Sequence, residues 1–119
     1  MRSGTQNGHT AGSAFGGDDV SYALALTTSQ HSTVNLTNSG TTYLVYNAGA
    51  AAAGLNFQGQ FNPTFPSLAF PTDGTPGNVM VIPPGAWRVI TAPPNAKVSG
   101  LMLSGTGTVY IQPGEGGTA

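Results

Sequence analysis

The sequence predicts an all-β fold: an antiparallel β-sandwich preceded by an extended N-terminal arm. Three observations carry that expectation. From Val20 onward the apolar residues come in short runs about one strand long, several of them alternating with polar or small residues. The breaks between runs are written in Pro-Pro-Gly (83–85), Pro-Pro-Asn-Ala (93–96) and Gly-Thr-Gly-Thr (105–108). Proline fixes φ and removes a donor while glycine opens the positive-φ region, so no helix continues across them. Finally, turn signals recur about every 8–12 residues, the spacing of a sandwich or barrel.

Taken in order, residues 1–18 (MRSGTQNGHTAGSAFGGD) hold one large apolar residue beyond Met1, Phe15. Such a composition cannot build a core, so the segment reads as an arm that packs on a neighbouring subunit. Residues 19–119 form the expected domain. Val20, Tyr22, Leu24 and Leu26 alternate with Ser21, Ala23, Ala25 and Thr27, as in a half-buried strand. Val34 and Leu36 mark a second strand, closed by the turn cluster Asn38-Ser39-Gly40. Residues 42–47 (TYLVYN) are rich in aromatic and β-branched side chains and read as a third.

The Ala-rich stretch 48–54 is too short for a stable helix and reads as a loop or extended segment, with room for one helical turn. Residues 55–58 make another short strand. Residues 59–77 interleave Pro63, Pro66, Pro71 and Pro76 with Phe61, Phe65, Leu68 and Phe70. Proline this dense excludes central-strand pairing, so this is a loop packed on the domain or on a partner. Further strands are expected near 78–82, 86–92, 97–103 and 107–112, with a hairpin turn between Leu103 and Val109 and a terminal tail from Gly114. The total of eight or nine strands matches a jelly-roll-like sandwich.

Composition narrows the function. Only 6% of the 119 residues are charged, against about 25% in an ordinary domain. A soluble monomer normally carries mixed surface charge. Thr, Ser, Asn and Gln must supply the polar surface here, as in proteins packed into an assembly or working outside the cell. Lys and Arg total three (Arg2, Arg88, Lys97), too few for a phosphate-binding footprint, so nucleic acid is not an expected partner. No apolar run reaches the length of a membrane span, and residues 1–17 lack the apolar stretch of a secretory signal. There is no cysteine, hence no disulfide or thiolate metal site.

The residues offer little for catalysis. The two histidines, His9 in the arm and His31 in a loop, lie in no motif, and a triad or metal site needs convergent His and carboxylate groups. Asp18 and Asp19 lack a calcium-loop pattern around them and read as the junction of arm and domain. Gly114-Glu115-Gly116-Gly117 lacks the Gly-Lys-Ser/Thr ending of a phosphate loop. Hence no catalytic residue, cofactor or metal is expected. Trp87 and Val89, with Leu101, Met102 and Leu103, are expected to be buried in the core or an interface.

The strand–Pro-Pro-Gly–strand run of Val79–Ile90, the corner Ala92-Pro93-Pro94-Asn95-Ala96 and the hydroxyl-rich final strand ending in Pro-Gly-Glu-Gly-Gly together carry a resemblance. The domain is similar in style to small jelly-roll virion proteins of tailed bacteriophages, particularly head decoration (cement) proteins. That resemblance implies a noncatalytic protein on the capsid surface. It would bind the major capsid protein lattice as a homo-oligomer, a trimer by analogy, and stiffen the shell. Phe15, Phe61, Phe65 and Phe70 are the candidate partner-binding residues, because a small core need not absorb them. The competing reading is a carbohydrate-binding jelly-roll of a tail fibre or host-recognition device, with Trp87, Tyr43, Tyr46 and Tyr110 as stacking residues. A hydrolase is disfavoured by the scarcity of titratable groups.

Overall fold

The computed structural model describes residues 16–17, 20–62 and 64–115. Among these residues nine strands run in chain order: β1 (Gly16–Gly17), β2 (Tyr22–Leu26), β3 (Val34–Asn35), β4 (Thr42–Asn47), β5 (Ala53–Gln58), β6 (Met80–Ile82), β7 (Trp87–Thr91), β8 (Lys97–Met102) and β9 (Gly107–Glu115). No helix occurs among the described residues, and the 48–54 stretch contains no helical turn. Its last two residues, Ala53 and Gly54, instead open β5.

The strands form an antiparallel β-sandwich. In one sheet β2 and the short β1 pair with the same edge of β9, and the order continues β9-β4-β7. The other sheet has the order β3-β8-β5-β6. Alternation decides what lies between them. Leu24 and Leu26, Tyr43 and Val45, and Val109 and Ile111 point inward from the first sheet and are buried. They meet Leu55, Val98, Met102 and Ile82 from the second. Burying such side chains contributes about 1.5–3 kcal/mol each, which makes this layer the main source of stability.

The Pro/Gly breaks occur where expected, but they are not hairpins. From β6 to β9 every connection carries the chain from one sheet to the other, so consecutive strands are not hydrogen-bonded. The turn at 103–106 is therefore a crossover between sheets, not the hairpin expected between Leu103 and Val109. Turn residues fix a reversal of direction, and both a hairpin and a corner need one. At the first corner Gly85 adopts φ 73°, open to glycine, and its N–H donates to the Asn47 carbonyl at 2.8 Å. At the second, Asn95 takes φ 50° and its Oδ1 accepts the Asn38 N–H at 3.0 Å. The one sequential pair that does share a ladder, β5 and β6, is joined by the longest loop.

β9 is longer than the sequence suggests, running through Pro113 and Gly114 to Glu115 where a tail was expected. Its register with the N-terminal strands explains how a proline is tolerated. Gly17 pairs with Gly114 and Tyr22 with Ile111, so the ladder on that side is interrupted around Pro113. Gly16 and Gly17 thus join the sheet although they belong to the stretch read as an arm. The rest of that arm, with His9 and Phe15, lies outside the described residues.

Loop 59–79 folds against the outer face of the second sheet. A Cβ on Gly54 would lie 2.7 Å from Val79 Cγ2 and 3.0 Å from Phe70 Cζ, so the glycine is what lets the loop approach the strand. Asn78 ties the loop to itself and to β5. Its Nδ2 donates to the Ser67 carbonyl, its Oδ1 accepts the Ala69 N–H, and its carbonyl accepts Asn56 Nδ2. Gln30 holds the middle of the loop, donating to the Pro66 carbonyl at 3.1 Å and accepting the Leu68 N–H at 2.9 Å. One outer face of the sandwich is thereby covered.

Candidate functional site

Among the described residues, none covers the outer face of the first sheet in this way. Cross-strand partners share a face, and the register places Trp87 of β7 opposite Tyr46 of β4, and Tyr46 opposite Tyr110 of β9. Three aromatic side chains therefore form one row across three neighbouring strands. The Tyr46 and Trp87 rings stack, with centroids 4.4 Å apart and planes at 27°. Trp87 is 58% exposed and Tyr110 47%. The next row on the same face holds Leu44, Val89 and Gln112. Between the rows lies a shallow depression of about 200 Å³, lined by Ser21, Leu44, Tyr46, Trp87, Tyr110 and Gln112 among others.

Among the described residues, this face carries no charged side chain. Arg88, the charged residue nearest in sequence, falls on the opposite side of the sheet with its partner Val45, and its Nη1 donates to the Trp87 carbonyl at 2.9 Å. Of the residues expected in the core or an interface, Met102 is buried in the core and Val89 and Leu101 are half-buried, while Trp87 and Leu103 are exposed and so do not belong to the core. A β-propensity pattern identifies the strand, but nothing local to Trp87 says which sheet face will be covered.

Tyr43 does not belong to the aromatic row. It points into the core, fully buried, where its hydroxyl donates to the Pro93 carbonyl at 2.8 Å and accepts the Ala96 N–H at 3.2 Å. The hydrogen bonds and the contact with Phe57 account for its burial, so it stacks on no external ligand.

The candidate partner-binding phenylalanines separate. Phe61 stands 89% exposed, just beyond the end of β5. Phe65 and Phe70 are half-buried, and Phe70 lies against Gly54 in its own domain. Phe15 lies outside the described residues. Lys97 Nζ donates to the Asn62 carbonyl and so braces the turn that presents Phe61. Because Gln58 pairs with Lys97, and β7 reaches β8 through Ala92–Ala96, Phe61 sits toward the end of the sandwich that holds the β7–β8 corner. Gly17 joins the first sheet at that same end, in register with Gly114 and Thr42. Trp87 begins its strand at the opposite end, next to the Pro83–Ala86 corner.

Two asparagines not singled out from the sequence as buried groups hold the ends of β4. Asn47 Nδ2 donates to the Ala51 and Ile82 carbonyls, both at 2.9 Å, and its Oδ1 accepts the Gly49 N–H. Asn38 Nδ2 donates to the Thr42 carbonyl while its Oδ1 accepts the Gly40 N–H. Both are architectural. His31 Nδ1 lies 2.6 Å from the Ser32 carbonyl, and among the described residues no three His, Asp or Glu side chains gather. No protein-family model, curated protein or solved structure matches this chain.

Proposed function

We propose that this chain is a noncatalytic virion structural protein, a capsid decoration protein that binds the major capsid protein lattice of a tailed bacteriophage and stabilises the head. The observation that carries the reading is one end of the sandwich. There Phe61 stands out from a braced turn, at the end where the N-terminal strand enters the sheet. An exposed aromatic beside the entry point of a chain segment suits docking on another protein surface. The strand order β2-β9-β4-β7 over β3-β8-β5-β6, alternating between sheets, supports a jelly-roll assignment. The scarcity of titratable groups in the sequence, with no cluster of them among the described residues, supports a noncatalytic role. On this reading the protein resides on the capsid surface as a homo-oligomer, a trimer by the resemblance.

The test is co-sedimentation of the purified full chain with undecorated phage heads. Saturable binding is expected, with a higher temperature of shell disruption. Phe61→Ser should weaken binding by about tenfold or more, a hot-spot loss of over about 1.4 kcal/mol. Absence of binding, or undiminished binding by the Phe61→Ser protein together with no shell stabilisation, would refute the assignment.

A further inference from the structure

We infer that the Tyr46–Trp87–Tyr110 row is a stacking platform for the pyranose rings of a neutral polysaccharide. Geometry comes first. Three aromatic side chains lie in register on adjacent strands, which are about 4.8 Å apart, so the row extends across about 10 Å of sheet. Tyr46 uses one ring face against Trp87, which leaves the far side of Trp87 and the ring of Tyr110 to a ligand. The adjoining depression is lined by the apolar side chain of Leu44 and by Ser21, Tyr46 and Tyr110, each of which carries a hydroxyl. A pyranose offers the complement: an apolar C–H face for the rings and equatorial hydroxyls for the rim.

Charge and size select among occupants. With no cation among the described residues of the face, phosphate polymers and sulfated or uronic glycans gain nothing from them. The four strands present about 300 Å² of planar face, given their spacing and rise, the footprint of a few sugar rings and not of the roughly 20–30 residues a side that a stable protein interface engages. A second copy seated on this face alone would be weakly held, whereas a few sugar rings match it. The row also lies at the opposite end of the sandwich from Phe61, so glycan binding and lattice docking need not compete, and the inference does not depend on the capsid assignment.

Trp87 is the sole tryptophan, so its emission reports on the site directly. The full chain is titrated with cellohexaose, chitohexaose, maltohexaose and, for contrast, a heparin hexasaccharide. A saturable change in emission with at least one neutral hexasaccharide is expected, and none with heparin. By calorimetry Trp87→Ala should bind that sugar about tenfold more weakly or worse, Trp87→Phe should retain part of the affinity, and both should melt within a few degrees of the parent. The inference is overturned if no neutral hexasaccharide binds at millimolar concentration, if only heparin binds, or if Trp87→Ala binds as tightly as the parent. It is equally overturned if Trp87→Ala abolishes self-association and no sugar binds, which would make the face a contact between copies. Phage-head binding by Trp87→Ala, measured in parallel, is expected to be unchanged.

Discussion

Asn47 sits at the end of β4 with its side chain enclosed and making three hydrogen bonds, which link the 48–51 turn to the end of β6. Replacing it with alanine would strand the Ile82 carbonyl in the interior and leave the half-buried Ala51 carbonyl and Gly49 N–H without this partner. Asn47→Ala should therefore lose about 2–4 kcal/mol in urea unfolding, and Asn47→Asp a comparable amount, because a carboxylate cannot donate to either carbonyl. Trp87→Ala should cost below about 1 kcal/mol despite removing a far larger side chain, since it gives up mostly one stacking contact at the surface. The contrast is itself a measurement: a short polar residue outweighing the chain's sole tryptophan. Nothing in the sequence around Asn47 signals this, because its partners at Ala51 and Ile82 come from a turn and from a strand 35 positions away.

Strand positions were legible because the signals that set them are local. Alternation marked β2, β-branched and aromatic residues marked β4, and the Pro/Gly breaks bounded β6 to β9. Partner strands were not legible, because a turn residue specifies that the chain reverses and leaves open which sheet it then enters. The edge strand β7 shows what the pairing adds. Arg88 occupies a core-side register position opposite Val45 yet remains exposed, an inward-set charge on a strand with a free edge. Such a charge opposes edge-to-edge pairing with another molecule. Arg88→Val is expected to raise turbidity on concentration or mild heating while the far-ultraviolet spectrum stays β-rich; Arg88→Lys should behave as the parent. At the N-terminus, β1 shows that Gly16 and Gly17 belong to the sheet. Deleting residues 1–15 should then leave the melting temperature within a few degrees of the full chain, while weakening association with phage heads.

At the scale of the whole molecule, the two outer faces of the sandwich differ: loop 59–79 packs on one at Gly54, while the described residues leave the other open and aromatic. The sequence announced the loop through its prolines but could not say that Phe70 would turn inward and Phe61 outward, since that depends on the approach permitted at Gly54. If Phe61 supports assembly, sedimentation velocity should find the parent oligomeric at micromolar concentration and the Phe61→Ser protein shifted toward a 12 kDa species. The strand order has a consequence for how the chain reaches its fold. β9 is seated between β2 and β4, almost the whole chain away from β2, and only β5 and β6 can pair with a sequential neighbour. Few contacts form early, and the loop-closure entropy of the long-range ones must be met almost at once. Refolding from urea should accordingly take milliseconds to seconds. A nascent chain lacking residues 107–115 should remain open to protease until that last strand emerges from the ribosome and closes the first sheet around itself.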